Sequence, residues 1–152
     1  MLDKALAHAD AGGPIVANNT LVLYSLLLDN PTEAALVLRR AIPLAKDQLT
    51  GIYQLEPVIA AAKIAARTGK GEVAARLLGA YSHHGGGASH HMGVALRTYW
   101  AFQSGRNQYR QLVDELAQTL GSAAFEEEFR HGAQLSPVQT LQLAAEVVDA
   151  TA

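Results

Sequence analysis

An all-α fold assembled from antiparallel helix pairs is what this sequence predicts, and three observations carry the prediction. Ala and Leu dominate a chain that is 49% hydrophobic and 6% aromatic, with comparatively few Val, Ile and Thr; that composition favours helix over sheet. Apolar residues recur at spacings of three and four along several stretches, the period of a helix face. Gly, Pro and capping residues then cut the chain into segments of helical length. At 152 residues the chain is long enough to bury one core, and a single domain over 1–152 is expected.

Gly12-Gly13-Pro14 places flexible residues before a proline suited to a first helical turn, which predicts a helix over 14–28. Asn30-Pro31-Thr32-Glu33 supplies a cap, a proline at the first position and a carboxylate at the third, opening a helix over 31–46. Pro43 lacks an N–H and its ring crowds the preceding turn, so a kink is expected there rather than an early end. Thr50-Gly51 opens a third helix running to Gly69, with Pro57 as an alternative start. Gly69-Lys70-Gly71-Glu72 is a tight turn into a fourth helix, faced by Val73, Leu77 and Tyr81 and stopped by Gly85-Gly86-Gly87.

A fifth helix is expected over 89–103, and Ser104-Gly105 separates it from a sixth whose stripe is Tyr109, Leu112, Val113, Leu116 and Leu120. Gly121 ends that helix. A short one over 122–131 presents Phe125 and Phe129, with Glu126, Glu127 and Glu128 around them. Ser136-Pro137-Val138-Gln139 is a full capping box for a last helix faced by Leu141, Ala144, Ala145 and Val148. Glu33-Ala34-Ala35-Leu36 and Glu72-Val73-Ala74-Ala75 open the second helices of two successive hairpins 39 positions apart, which suits a tetratricopeptide-like repeat array of about seven helices.

The run Gly69-Lys70-Gly71-Glu72-Val73-Ala74-Ala75-Arg76-Leu77-Leu78-Gly79-Ala80 resembles a segment of bacterial predicted-ATPase regulators. In those proteins a Gly-containing turn precedes an Ala-Ala-Arg-Leu-Leu-Gly-Ala run. Leu120-Gly121-Ser122-Ala123-Ala124-Phe125, the stretch from Glu128 ending in Gly132, and Leu135-Ser136 are similar to the C-terminal end of the same helical-repeat region, found in LuxR-type and STAND-like regulators. The likeness covers roughly half the chain. It implies a fragment or stand-alone version of a regulator's C-terminal region, following a nucleotide-binding domain and preceding, in some members, a helix-turn-helix domain. No Gly-x-x-x-x-Gly-Lys-Ser/Thr phosphate loop is present here, and the first half of the chain matches no family motif.

Charge narrows the function. Twelve Lys plus Arg against 14 Asp plus Glu give a net charge of -2, with no footprint of direct nucleic-acid or anionic-membrane binding. The absence of Cys removes disulfides, thiolate metal sites and thiol nucleophiles and suits a reducing cytoplasm, the expected location. The most hydrophobic stretch, 21–28, is far short of the ~20 residues that span a bilayer.

Candidate sites are few. His83, His84, His90 and His91 flank a Gly-rich loop and put four imidazoles within reach of one metal ion, but a solvated helix end is the plainer reading, and neither a metal nor a cofactor is expected. Glu126, Glu127 and Glu128 diverge by ~100° per residue and read as a solvated face, not an acid–base pair. Arg39 and Arg40 are candidates for gripping a partner's carboxylate or phosphate, with surface charge as the plainer reading. Tyr99, Trp100 and Phe102 concentrate aromatic area in one turn, as core or as an interface anchor. No Gly-x-Ser-x-Gly elbow or positioned His supports a serine nucleophile, and no enzymatic activity is expected. The function expected is a non-catalytic protein-interaction or sensor module that binds a protein partner or neighbouring domains through a helical-repeat groove. Two alternatives stand beside it: an effector-sensing domain with an apolar space lined by Tyr81, Trp100 and Tyr109, and a self-assembling structural module.

Overall fold

The computed structural model describes residues 4, 7, 21–22, 24–46, 56–86 and 99–152. Among them there is no strand, and the fold is the all-helical array expected. Residues 21–22 and 24–27 are helical, followed by α1 (Pro31–Lys46), α2 (Glu56–Arg67), α3 (Gly71–Tyr81), a π-turn (Ser82–Gly86), α4 (Tyr99–Leu120), α5 (Ser122–Ala133) and α6 (Pro137–Thr151). No helix is long and apolar enough to cross a membrane among these residues.

Local chemistry explains the ends. Asn30 Oδ1 accepts from the backbone N–H of Thr32 at 2.9 Å and of Glu33 at 3.2 Å, capping α1 as its sequence predicts. Helix α1 continues through Pro43 to Lys46, so the proline does not end it. Helix α2 has Pro57 in its first turn; the other expected start, Thr50-Gly51, lies outside the described residues. After α2, Gly69 takes φ +78° and the Lys70 N–H reaches back to the Ala65 carbonyl at 2.8 Å, a Schellman closure that lets α3 begin two residues later. Gly121 alone joins α4 to α5, at φ +87° and ψ 149°, a backbone region that essentially only glycine enters. Ser136 and Gln139 form the reciprocal capping box of α6 at 3.1 and 2.9 Å.

The expected break at Ser104-Gly105 is a correction: α4 runs unbroken from Tyr99 to Leu120. A mid-helix glycine costs only about 1 kcal/mol against alanine, which packing along a long helix offsets. The stretch expected as the body of a fifth helix, 89–98, lies outside the described residues.

Helix α2 is the hub. Pro57 through Ala62 are all buried, as are Ile64 and Ala65, so its first half is enclosed on every side, and α1, α3, α4 and α6 pack against it. Alanine makes up half of this enclosed face, allowing backbones to approach closely. Helix α6 returns to lie against both α1 and α2, burying Leu141, Ala144, Val147 and Val148. An array stacked strictly neighbour on neighbour would not bring the last helix back to α1.

Helices α3 and α5 meet most intimately. A Cβ added at Gly79 would collide with the Phe129 carbonyl oxygen and stand 2.8 Å from its carbon; one added at Gly132 would collide with the Arg76 carbonyl oxygen, 2.6 Å from its carbon. Each glycine therefore aims a Cα–H at a carbonyl of the facing helix, in a reciprocal 76/79 against 129/132 crossing. Gly132 thus lies inside α5, which continues to Ala133, and serves the crossing rather than ending the helix.

Candidate functional site

Three contacts build a surface groove where the 21–28 segment meets α1. Ser25, itself buried, donates its hydroxyl to the Ala34 carbonyl at 3.0 Å and pins the segment across the α1 entry. The Lys63 ammonium, rising from α2, donates to the Leu26 carbonyl at 2.7 Å, satisfying an acceptor at a helix C-terminus. Burial holds the Lys63 pKa below its ordinary value, and neighbouring Arg67 pushes it the same way, while Asp29 and Glu115 oppose. The Asn30 cap then fixes the direction in which α1 leaves.

The groove so formed is shallow, about 200 Å³, and mostly apolar. Leu21, Tyr24 and Leu28 line one side and Leu36 and Val37 the other, with Glu33 and Arg40 at the rim. Leu36 is 52% exposed and Leu27, on the 21–28 segment, 68%. Among the described residues neither Glu33 nor Arg40 meets an opposite charge within ion-pair distance, whereas Arg39 turns away to Asp149 on α6 at 3.5 Å. An open apolar strip with one carboxylate and one guanidinium at its edge is suited to receiving another surface, with charge to fix register. Among the described residues it brings no nucleophile together with a base.

Other charges tie helices together. Arg67 on α2 and Glu115 on α4 form a two-pronged pair at 2.6 and 3.2 Å. Arg76 donates through Nε to Glu128 Oε2, bracing the glycine crossing, and His131 Nδ1 stands 3.9 Å from the same oxygen. This corrects the reading of the three glutamates as one solvated face. Glu126 and Glu127 are exposed, but Glu128 is only 15% exposed, and the Arg76 hydrogen bond holds its carboxyl below the usual carboxylate range. Arg39 is exposed and pairs on the surface with Asp149 of α6, so it is not open to a partner's anion in the way Arg40, exposed on the groove rim, is.

The structure separates the remaining candidates. His83 is exposed, and His84 donates through Nε2 to the Leu135 carbonyl at 2.5 Å, fastening the π-turn to the α5–α6 connection. The two rings meet edge to face at 4.7 Å. His90 and His91 lie outside the described residues, and among those described no three His, Asp or Glu converge as a metal-binding group. Tyr99, Trp100 and Phe102 occupy the first turn of α4, with their side chains outside the description. Tyr81 and Tyr109 do come together, their rings tilted at 42° with centroids 6.0 Å apart. Burial raises the Tyr109 hydroxyl above its ordinary pKa, and a hydrogen bond with Ser82 pulls it the other way. These two rings pack on each other.

No family model, curated protein or solved structure matches this chain.

Of the groove's described lining, Arg40 is a candidate the sequence supplies, whereas Leu21, Tyr24, Leu28, Leu36 and Val37 are missed because they sit inside runs that read as core. Leu36 follows Glu33-Ala34-Ala35, and the 21–28 stretch is apolar nearly all round, which suggests full burial. One signal was present: Glu33, Leu36, Arg40 and Pro43 recur at helical spacing on a face opposite Ala34, Leu38, Ala41 and Ala45, so a leucine stands in the middle of a polar stripe.

Proposed function

We propose that this chain is a non-catalytic interaction module of a signal-transduction or transcriptional regulator, and that it binds a protein partner or neighbouring domains through the face formed by α1 and the 21–28 segment. The observation that carries the reading is the exposure of Leu36 in the wall of an open apolar groove, with exposed Leu27 on the segment that supplies the other wall; among the described residues Val138 on α6 is comparably exposed but lines no such groove. An apolar groove with an exposed leucine in its wall and charges at its rim has the anatomy of a recognition surface, apolar at the centre and polar at the edge. The helical frame supports this reading, because cross-helix ion pairs and a central alanine-lined helix hold the face in one geometry. A preformed face loses little conformational entropy on binding. The link to a regulator rests on the resemblance of the Ala-Ala-Arg-Leu-Leu-Gly-Ala run and the Leu120–Phe125 turn.

Site-specific photo-crosslinking in cells tests the proposal. A photoreactive side chain replacing Leu36 is expected to give protein adducts on illumination, while the same group at Gln118, exposed on α4, gives none. Equal labelling at both positions, or no adduct at position 36, would overturn it.

A further inference from the structure

We infer that the outward face of α1 docks a second copy of this chain, the two α1 helices running antiparallel across a twofold axis, with the two Leu36 side chains at its centre and Glu33 of each copy opposite Arg40 of the other. The inference rests on the reading of this face as a recognition surface and names its occupant.

Self-complementarity is what selects the second copy. A twofold axis lying between facing helices pairs a residue at a given height on one side of the helix with the residue at the opposite height on that same side of its mate. At 1.5 Å per residue, Glu33 lies about 4.5 Å before Leu36 and Arg40 about 6 Å after it, a mismatch well within the reach of two long side chains. At 100° per residue both fall on the same side of Leu36, about 60° and 40° round from it, as the axis requires. Arg39 falls on the other side and is engaged by Asp149. The side that carries Glu33 and Arg40 is also the side of the groove, so Tyr24 and Leu28 of each copy flank the charged contacts with apolar area. Both rim charges lack an opposite charge within their own chain among the described residues, and the twofold supplies one to each, twice. A partner with an unrelated surface would have to match this arrangement by coincidence.

Sedimentation of the full chain provides the test, with circular dichroism confirming that each variant is folded. The wild-type mass is expected to rise from 16.1 kDa toward twice that as concentration passes through the tens-of-micromolar range. Leu36→Arg, at an exposed helix position that tolerates arginine, is expected to abolish the dimer. Glu33→Arg and Arg40→Glu are each expected to raise the dimer Kd about tenfold, because like charges then meet at two symmetric places. Combining the two reversals restores opposite charges, and the Kd is expected to return to within about threefold of wild type. A chain that stays monomeric, a dimer indifferent to Leu36→Arg, or a double reversal that does not restore affinity overturns the inference. A monomer that nevertheless crosslinks a different protein through position 36 overturns the self-docking alone and leaves the recognition surface standing; a monomer with no adduct overturns both.

Discussion

Substituting Gly79 with alanine sets two effects of opposite sign against each other, and the α3–α5 crossing decides between them. In an ordinary helix interior the change stabilises by about 1 kcal/mol, because alanine leaves the unfolded chain less freedom to lose. Here the new methyl would collide with the Phe129 carbonyl oxygen and stand 2.8 Å from its carbon and 3.0 Å from its Cα. Carbon atoms prefer about 3.5 Å or more, so the carbon contact alone requires the helices to part by at least about 0.7 Å, the nearer oxygen requires more, and a gap of that size forfeits a quarter or more of each dispersion contact alongside. The obstacle is backbone, which cannot swing aside as a side-chain end would. Overpacking of this kind costs about 1–3 kcal/mol before lost contacts are added, so Gly79→Ala is expected to destabilise by about 2 kcal/mol net. Gly132→Ala, whose methyl would stand 2.6 Å from the Arg76 carbonyl carbon, should cost at least as much. Because the first substitution already opens the crossing, the double variant should fall short of the sum by a measurable coupling energy. Gly71→Ala is the control: its methyl would meet only side-chain ends, Leu120 at 3.2 Å and Leu116 at 3.5 Å, and it should be near neutral. Urea unfolding followed at 222 nm reads these differences as midpoint shifts at constant slope. A Gly79→Ala or Gly132→Ala protein as stable as wild type would refute the reasoning.

Three further outcomes follow from the same geometry. Glu128 binds its proton less tightly folded than unfolded, so its contribution is complete above the ordinary carboxylate value of 4.5 and fades as pH falls through the depressed folded value; Glu128→Gln should flatten acid unfolding in that range, and a wild-type profile in the variant would count against the pairing with Arg76. Lys63 is depressed, so between its lowered folded pKa and the ordinary 10.5 the unfolded chain holds the extra proton and stability should rise with pH. Lys63→Met removes that alkaline rise but costs about 1 kcal/mol at neutral pH by orphaning the Leu26 carbonyl, and a variant more stable than wild type at pH 7 would contradict the role given to the bond. Ser136→Ala should lower stability by about 1 kcal/mol through loss of the α6 cap, and Ser136→Asp should retain most of it; equal losses in thermal melts would show that the box is not what starts the helix.

Much of this fold was legible because its signals are local. Asn30 and the Ser136–Gln139 box cap the helices they precede, and Gly69 and Gly121 occupy positive φ at the turns where they were expected, since a cap or a left-handed residue needs only its neighbours to act. Ser104-Gly105 misled for the converse reason: a weak local preference for a break is outweighed by what the rest of α4 packs against. Gly79 and Gly132 could not be recognised as partners, because 53 positions separate them and each alone reads as a tolerated or terminating glycine. Glu128 differs from its two neighbours only in the direction it faces, one helical turn before Gly132 and so toward α3; that offset was a usable sign once the crossing is known. The groove was hidden in the opposite way, since leucines at 27 and 36 look like every other leucine in the chain until burial distinguishes them.

Hydrogen exchange read by mass spectrometry measures the proposed recognition face most directly. Comparing the chain alone with the chain held in its crosslinked complex, deuterium uptake should fall over residues 21–43 while α4 and α5 exchange as before. Unchanged uptake along α1, with protection appearing on α4 or α5 instead, would contradict the assignment of that face.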